Sequence, residues 1–348
     1  MASPFAAYFY AVYGPGLDTL QEWGLSGWML WFFLPHIVAQ TKSTLIDLSP
    51  MLGAHLFVCG LLAFSLGALQ VYRAKIGKRG AVTRGLYRYV RHPQYTALVV
   101  ASLGMLLIWP RFLVLYSTIV MIFTYVALAR AEERICTEKY DNYDQYLSQT
   151  GGFVPKFFGN TRGPKLLEKI PRPISAVATM FFVLATATVL ALSLRQHAIA
   201  SLYTLKDTHG IYLSVTRISE TKLSRISDLA RTNAKIETTL SSLNKNDSFI
   251  AYVLPTEMYI SEIPMTLPKG QVFGHSVPKS RDINRYKVIY TRAEFTNQAV
   301  SETENILYHS VNKHPLIEVH VNLNTEAVES VLPVPKQTYY GEVQVPVF

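Results

Sequence analysis

The chain has 348 residues, 49% of them hydrophobic and only 16% charged, with a mean hydropathy of +0.17 and a formal net charge of +9. Soluble domains carry roughly 25% charged residues, so this composition excludes an ordinary soluble protein, and the length allows about two domains. Charge placement argues against a nucleic-acid partner: residues 1–195 hold 18 Lys and Arg against 9 Asp and Glu, while residues 196–348 hold 15 of each. The basic excess therefore lies wholly in the apolar half, not on a soluble domain.

A bilayer-crossing helix needs about 20 apolar residues, with a lower range near 17. Five segments qualify in chain order: 23–39, which carries Pro35 and His36, then 51–72, 93–109, 112–129 and 174–194. Trp109-Pro110-Arg111 divides the third from the fourth, so these two form a tight hairpin. The expected fold is an α-helical integral-membrane bundle of about five transmembrane helices over 1–195, followed by an extramembrane mixed α/β domain over 196–348. The N-terminal stretch lacks a basic region ahead of an apolar one, so no cleaved signal peptide is expected. No acidic residue occurs between Asp47 and Glu132, whereas seven Lys and Arg fall within 73–91. Loops 73–91 and 130–172 are thus expected in the cytosol, and 196–348 on the far side of a plasma, inner or endoplasmic reticulum membrane.

In the second half, 210–216, 248–255, 285–291 and 316–323 alternate or run apolar like strands. Ile218, Leu223, Ile226, Leu229, Ile236 and Leu240 recur at helical spacing between the first two. His209, His275, His309, His314 and His320 are scattered and read as surface or core histidines, so no metal site is expected. Cys59 lies in an apolar run and Cys136 in what reads as a charged loop, so neither a disulfide nor a metal centre follows. This domain offers no catalytic motif, which leaves a protein partner as one role for it.

The chemistry concentrates at 87–95, Tyr-Arg-Tyr-Val-Arg-His-Pro-Gln-Tyr. Pro93 suits the first turn of a helix, so the third apolar segment starts beside Arg91 and His92, and its free N–H groups make an anion site. One hairpin later, Glu132 and Glu133 return to the same membrane face. Cations and carboxylates converging there suit a zwitterionic ligand with a separate positive centre.

The span 77–158 resembles the integral-membrane isoprenylcysteine carboxyl methyltransferase and phospholipid N-methyltransferase superfamily. Gly85, Tyr87, Arg91, His92, Pro93 and Tyr95 match its first motif, Pro110 its hairpin turn, and Arg130, Glu132 and Glu133 its second. Tyr143, Tyr146 and the stretch 154–158 close the pattern. Ala97, Tyr140-Asp141 and Cys136 depart from it. The resemblance implies S-adenosylmethionine bound on the cytosolic side and a lipidic or small apolar acceptor entering from the bilayer. Tyr87, His92, Pro93, Gln94, Tyr95 and Glu132 are the implied cofactor ligands, with a looser contribution from 80–82. On physical grounds, His92 and the helix N-terminus suit the methionine carboxylate, Glu132 its ammonium, and Tyr87 or Tyr95 the adenine. Arg130 and Glu133, which flank Glu132, are the candidates for orienting the acceptor.

Two other readings compete. An NADPH-dependent membrane reductase of sterol-like lipids would use the 73–91 arginines for a 2′-phosphate. A non-enzymatic anchor would merely display the C-terminal domain.

Overall fold

The computed structural model describes residues 16, 19–20, 27–78, 80–141, 143–156, 172–244, 246–295, 306–339 and 347–348. The start of the 23–39 segment, the end of the 154–158 stretch and the basic residues between 157 and 171 lie outside the described residues. The chain divides into two compact units, Leu48–Ala191 and Met1–Asp47 together with Leu192–Phe348.

The first unit is helical: α1 (Thr44–Ile76), α2 (Pro93–Ile108), α3 (Phe112–Lys139), α4 (Tyr143–Gln149) and α5 (Arg172–Ala200), whose first and last helices run into the second unit. Among the described residues, α1, α3 and α5 are long and apolar enough to cross a membrane, and only 17%, 22% and 6% of their most apolar windows are buried. Apolar side chains turned outward to this extent suit lipid rather than water. α2 has 16 residues. At 1.5 Å per residue that is about 24 Å, short of a hydrocarbon core of roughly 30 Å. Three candidate spans are thus found among the described residues, with α2 a shorter apolar helix beside them, and the expected count of about five is not confirmed.

Small residues join α1 to α2. Gly53, Gly60 and Gly67 recur at heptad spacing on α1 and face Gly104, Ala101, Ala97 and Gln94 of α2. A Cβ on Gly60 would come within 2.6 Å of the Ala101 nitrogen and 2.7 Å of the Ala97 carbonyl oxygen. Lipid offers no hydrophobic drive for helix pairing, so close backbone approach of this kind carries it. Across the hairpin, the hydroxyls of Tyr116 on α3 and Thr188 on α5 are 2.7 Å apart.

The 23–39 segment is not a transmembrane helix over its described part. Gly27–Leu30 is a 3-10 turn, and 31–43 contains no helix. Pro35 removes a backbone donor, while Phe32, Phe33, Leu34 and Ile37 are buried. The Ala39 and Gln40 N–H groups donate to the Val215 carbonyl, and Lys42 N–H to that of Ser201. Its apolar residues thus face protein, and its length alone misled.

The second unit is a six-stranded mixed sheet in sequential order: β1 (Tyr203–Lys206), β2 (Gly210–Ser214), β3 (Phe249–Pro255), β4 (Arg285–Phe295), β5 (Ser310–Asn322) and β6 (Ala327–Leu332). β2 and β3 are parallel and every other pair is antiparallel. The parallel pair needs a crossover, which α6 (Glu220–Arg231) and α7 (Ala234–Ser241) supply. The Ser219 hydroxyl caps α6 and the Asn233 amide caps α7. Leu223, Ile226, Ala230 and Ile236 of these helices join Tyr212, Phe249, Val253, Val288 and Val319 in one core. The four expected strands correspond to β2–β5.

Candidate functional site

The site is built where α1 ends. Ile76 closes the helix, Lys78 turns the chain at φ 49°, and 80–88 folds back along the last turns of α1. Gly85 makes that return possible: its φ is +67°, and a Cβ there would sit 2.6 Å from the Gln70 amide. The same amide accepts the Leu86 N–H at 3.3 Å. A 3-10 turn, Gly85–Arg88, then sets Tyr87, and Pro93 opens α2 with His92 at its N-cap.

His92 does not cap the helix; its ring lies between two carboxylates. Nε2 is 2.9 Å from Glu133 Oε1 and Nδ1 is 3.5 Å from Glu132 Oε2. Burial alone would lower the His92 pKa, but the hydrogen bonds and charges of Glu132 and Glu133 raise it above 6.5. When it is protonated, its charge is matched within the protein by these two carboxylates. Among the described residues, the α2 N-terminus and Lys75 then offer positive features for a ligand carboxylate.

Arg91 is a bolt. Its Nε donates to Glu133 Oε1 at 2.6 Å, and Nη1 donates to the carbonyls of Leu147 and Thr150. The Arg91 and His92 N–H groups donate to the carbonyls of Gly151 and Gly152. Glu133 is thus occupied by Arg91 and His92 and is one-quarter exposed, whereas the Glu132 side chain is 52% exposed. The Tyr95 hydroxyl donates to Glu132 Oε1 at 2.5 Å and so fixes the one carboxylate that stays open.

Arg91, His92, Tyr95 and Glu132 line a cavity of about 420 Å³, a usual size for a small-molecule site. Of the six sequence-implied cofactor residues, Tyr87, His92, Gln94, Tyr95 and Glu132 line it, while Pro93 is buried beneath them. Gly80, Ala81 and Val82 line it too. Sequence reasoning missed Val71, Ala74 and Lys75 on α1, and gave no binding role to Cys136, Tyr140, Tyr143 or Tyr146. The basic run from Arg73 was the available signal for Lys75. Cys136 lies on α3, which continues to Lys139 where a charged loop was expected.

The aromatic roles also separate. Tyr95 stacks on His92 at 5.6 Å and on Tyr125 at 4.7 Å, so its ring is committed to protein. Tyr87 and Tyr140 remain on the wall for a flat ligand. Burial raises the Tyr87 and Tyr146 phenols to about 12, so both stay neutral at physiological pH. The Tyr146 hydroxyl donates to the Tyr87 carbonyl at 2.6 Å, holding the 3-10 turn in place.

The acceptor-orienting candidates do not converge on this cavity. Glu133 lies behind it, and Arg130 borders a separate groove of about 550 Å³ with Phe123, Val126, Ala127, Ser175 and Thr179.

Residues 50–143 match the family model described as phospholipid methyltransferase, which overlaps the 77–158 span of the sequence resemblance over 77–143. The matched span holds every cavity-lining residue except Tyr146. No curated protein and no solved structure matches the chain.

Proposed function

We propose that the helical unit is a membrane methyltransferase that uses S-adenosylmethionine and modifies a lipidic or small apolar acceptor at the cytosolic membrane face. The single observation that carries this reading is Glu132, a half-exposed carboxylate on the wall of a nucleoside-sized cavity, clamped by Tyr95 and His92. The donor set fits the cofactor. Glu132 suits the ammonium, the α2 N-terminus and Lys75 the carboxylate, and Tyr87 and Tyr140 the adenine. When bound, the cofactor supplies an electrophilic methyl carbon on a sulfonium. The protein's part is placement: Tyr95 and His92 fix Glu132, Glu133 and Arg91 fix His92, and the aromatic wall limits water. Alignment of reactants in a dry site can account for most of such a rate, so no catalytic triad is needed.

Within this reading Glu133 is a positioning residue. Arg130, beside an apolar groove between α3 and α5, is the candidate for contact with the acceptor.

The cytosolic assignment rests on the basic residues of 73–91. The Lys42–Ser201 hydrogen bond sets the start of α1 beside the end of α5. With the loop after α1 in the cytosol, the start of α1 and the end of α5 fall on the other side, and this reading puts 196–348 on the non-cytosolic side of a plasma, inner or endoplasmic reticulum membrane.

The test is binding by the full chain in nanodiscs. S-adenosylhomocysteine should bind and raise the Tm, and isotope from labelled S-adenosylmethionine should enter a lipid extract. Stabilisation by NADPH instead would favour the reductase reading. No effect of either would favour the anchor.

A further inference from the structure

His36 stands in the irregular segment ahead of α1, and Glu262 and His275 stand on the connection between β3 and β4. His36 is far in sequence from the other two, yet the three side chains meet. His36 Nε2 is 3.3 Å from Glu262 Oε1, and His275 Nε2 is 3.1 Å from Glu262 Oε2. One ligand atom from each residue lies within 4.8 Å of the other two. We propose that His36, Glu262 and His275 form a binding site for a divalent transition-metal ion, zinc first among them, that fastens the N-terminal segment to the sheet domain.

Geometry and ligand chemistry support this. Bonds of about 2.0–2.2 Å from zinc to nitrogen and oxygen put neighbouring ligand atoms of a tetrahedron about 3.3–3.6 Å apart. The two measured edges, 3.3 and 3.1 Å, are close to that spacing before any ion draws the groups together. Two imidazoles and one carboxylate suit zinc and its neighbours, whereas calcium and magnesium take oxygen ligands.

The ligands are also held from behind. The Ser261 hydroxyl donates to Glu262 Oε2 at 2.8 Å, and the His36 ring stacks flat on Phe32 at 5.0 Å. Such supporting contacts orient metal ligands in known centres. The Glu262 side chain is only 3% exposed, but that of His275 is 42% exposed. An ion would thus be reached from solvent, with a fourth position open to water. The competing reading is a hydrogen-bonded His–Glu–His cluster that needs no ion.

The two readings differ in a direct measurement. The full chain, purified in detergent and stripped with a chelator, is titrated with Zn²⁺ against a chromophoric chelator, and with Co²⁺ for its visible ligand-field bands. One tight zinc per chain is expected, with a rise in Tm and a Co²⁺ spectrum of low coordination number. His275→Ala changes a partly exposed side chain and should abolish that site, as should Glu262→Gln. His314→Ala, at another exposed histidine, should keep it. A wild-type chain that takes up no zinc would overturn the proposal. So would a His275→Ala chain that binds zinc like the wild type, and this variant decides alone if Glu262→Gln fails to fold.

Discussion

The two units solve opposite problems with opposite residues. In Leu48–Ala191 the apolar side chains face outward, and helices meet through glycine and alanine at backbone distance. In the sheet unit the apolar side chains face inward, with Tyr212, Phe249 and Tyr290 in mutual contact and Val288 and Val319 fully buried. Burying area is what water rewards, whereas in lipid only closeness and polar contacts distinguish one helix pairing from another. The most sensitive positions should therefore be the smallest residues of one unit and the largest of the other.

The largest effect should come from reversing those sizes. Gly60→Leu drives a side chain into the α2 backbone, and because backbone cannot yield as a side chain does, the cost should exceed the roughly 1–3 kcal/mol of ordinary overpacking. It should abolish S-adenosylhomocysteine binding. Phe249→Ala should cost about 3–5 kcal/mol in the sheet unit yet leave that binding intact, as read by calorimetry on the full chain. Loss of cofactor in both variants would show that the units fail together.

Next comes Glu132→Gln. It removes a charge-assisted contact worth about 1.5–3 kcal/mol, or roughly a 10- to 150-fold loss of S-adenosylhomocysteine affinity. Unchanged affinity would take Glu132 out of the site.

The response to pH sharpens the comparison further, because the units should move in opposite directions. His92 is raised above 6.5, so its stabilisation is complete below that pH and fades as pH climbs through the folded value. Burial lowers Lys287 to about 8 and Lys313 to about 7. Between those values and 10.5 the unfolded chain binds more protons, so the sheet unit gains stability as pH rises. The Tm of His92→Asn relative to wild type should converge with it at high pH. Lys287→Met should flatten the rise between pH 8 and 10.5. Parallel slopes in wild type and variants would refute both assignments.

The smallest effect is expected at Arg130, on the far groove. Arg130→Met should change S-adenosylhomocysteine affinity by about twofold or less, as for a surface change within about 0.5 kcal/mol. A raised KM for the acceptor would then assign Arg130 to that groove.

Much of this was legible in the sequence, and the misses have physical causes. The Arg91-His92-Pro93 motif and the Glu132-Glu133 pair lay on strong signals, a proline at a helix start and two carboxylates after an apolar hairpin. Strands β2–β5 announced themselves by long apolar runs. The edge strands β1 and β6 are short and half-polar, so nothing in their pattern rises above loop. Apolarity does not distinguish lipid from protein as the buried surroundings, which is why 23–39 misled. Lys75 needed the fold-back of 80–88 to reach the cavity wall. The His36–Glu262–His275 meeting has no spacing that a linear reading could detect.

The bonds from Arg91 to Leu147, Thr150 and Gly151 also set a clock. While the chain is still being made, the helix with Pro93 at its head and the helix with Glu132 can both be complete without a pocket between them. The clasp that orients His92 arrives only with residues 147–152, after the whole hairpin has been threaded. A nascent chain stopped short of Gly151 would display both motifs and bind nothing.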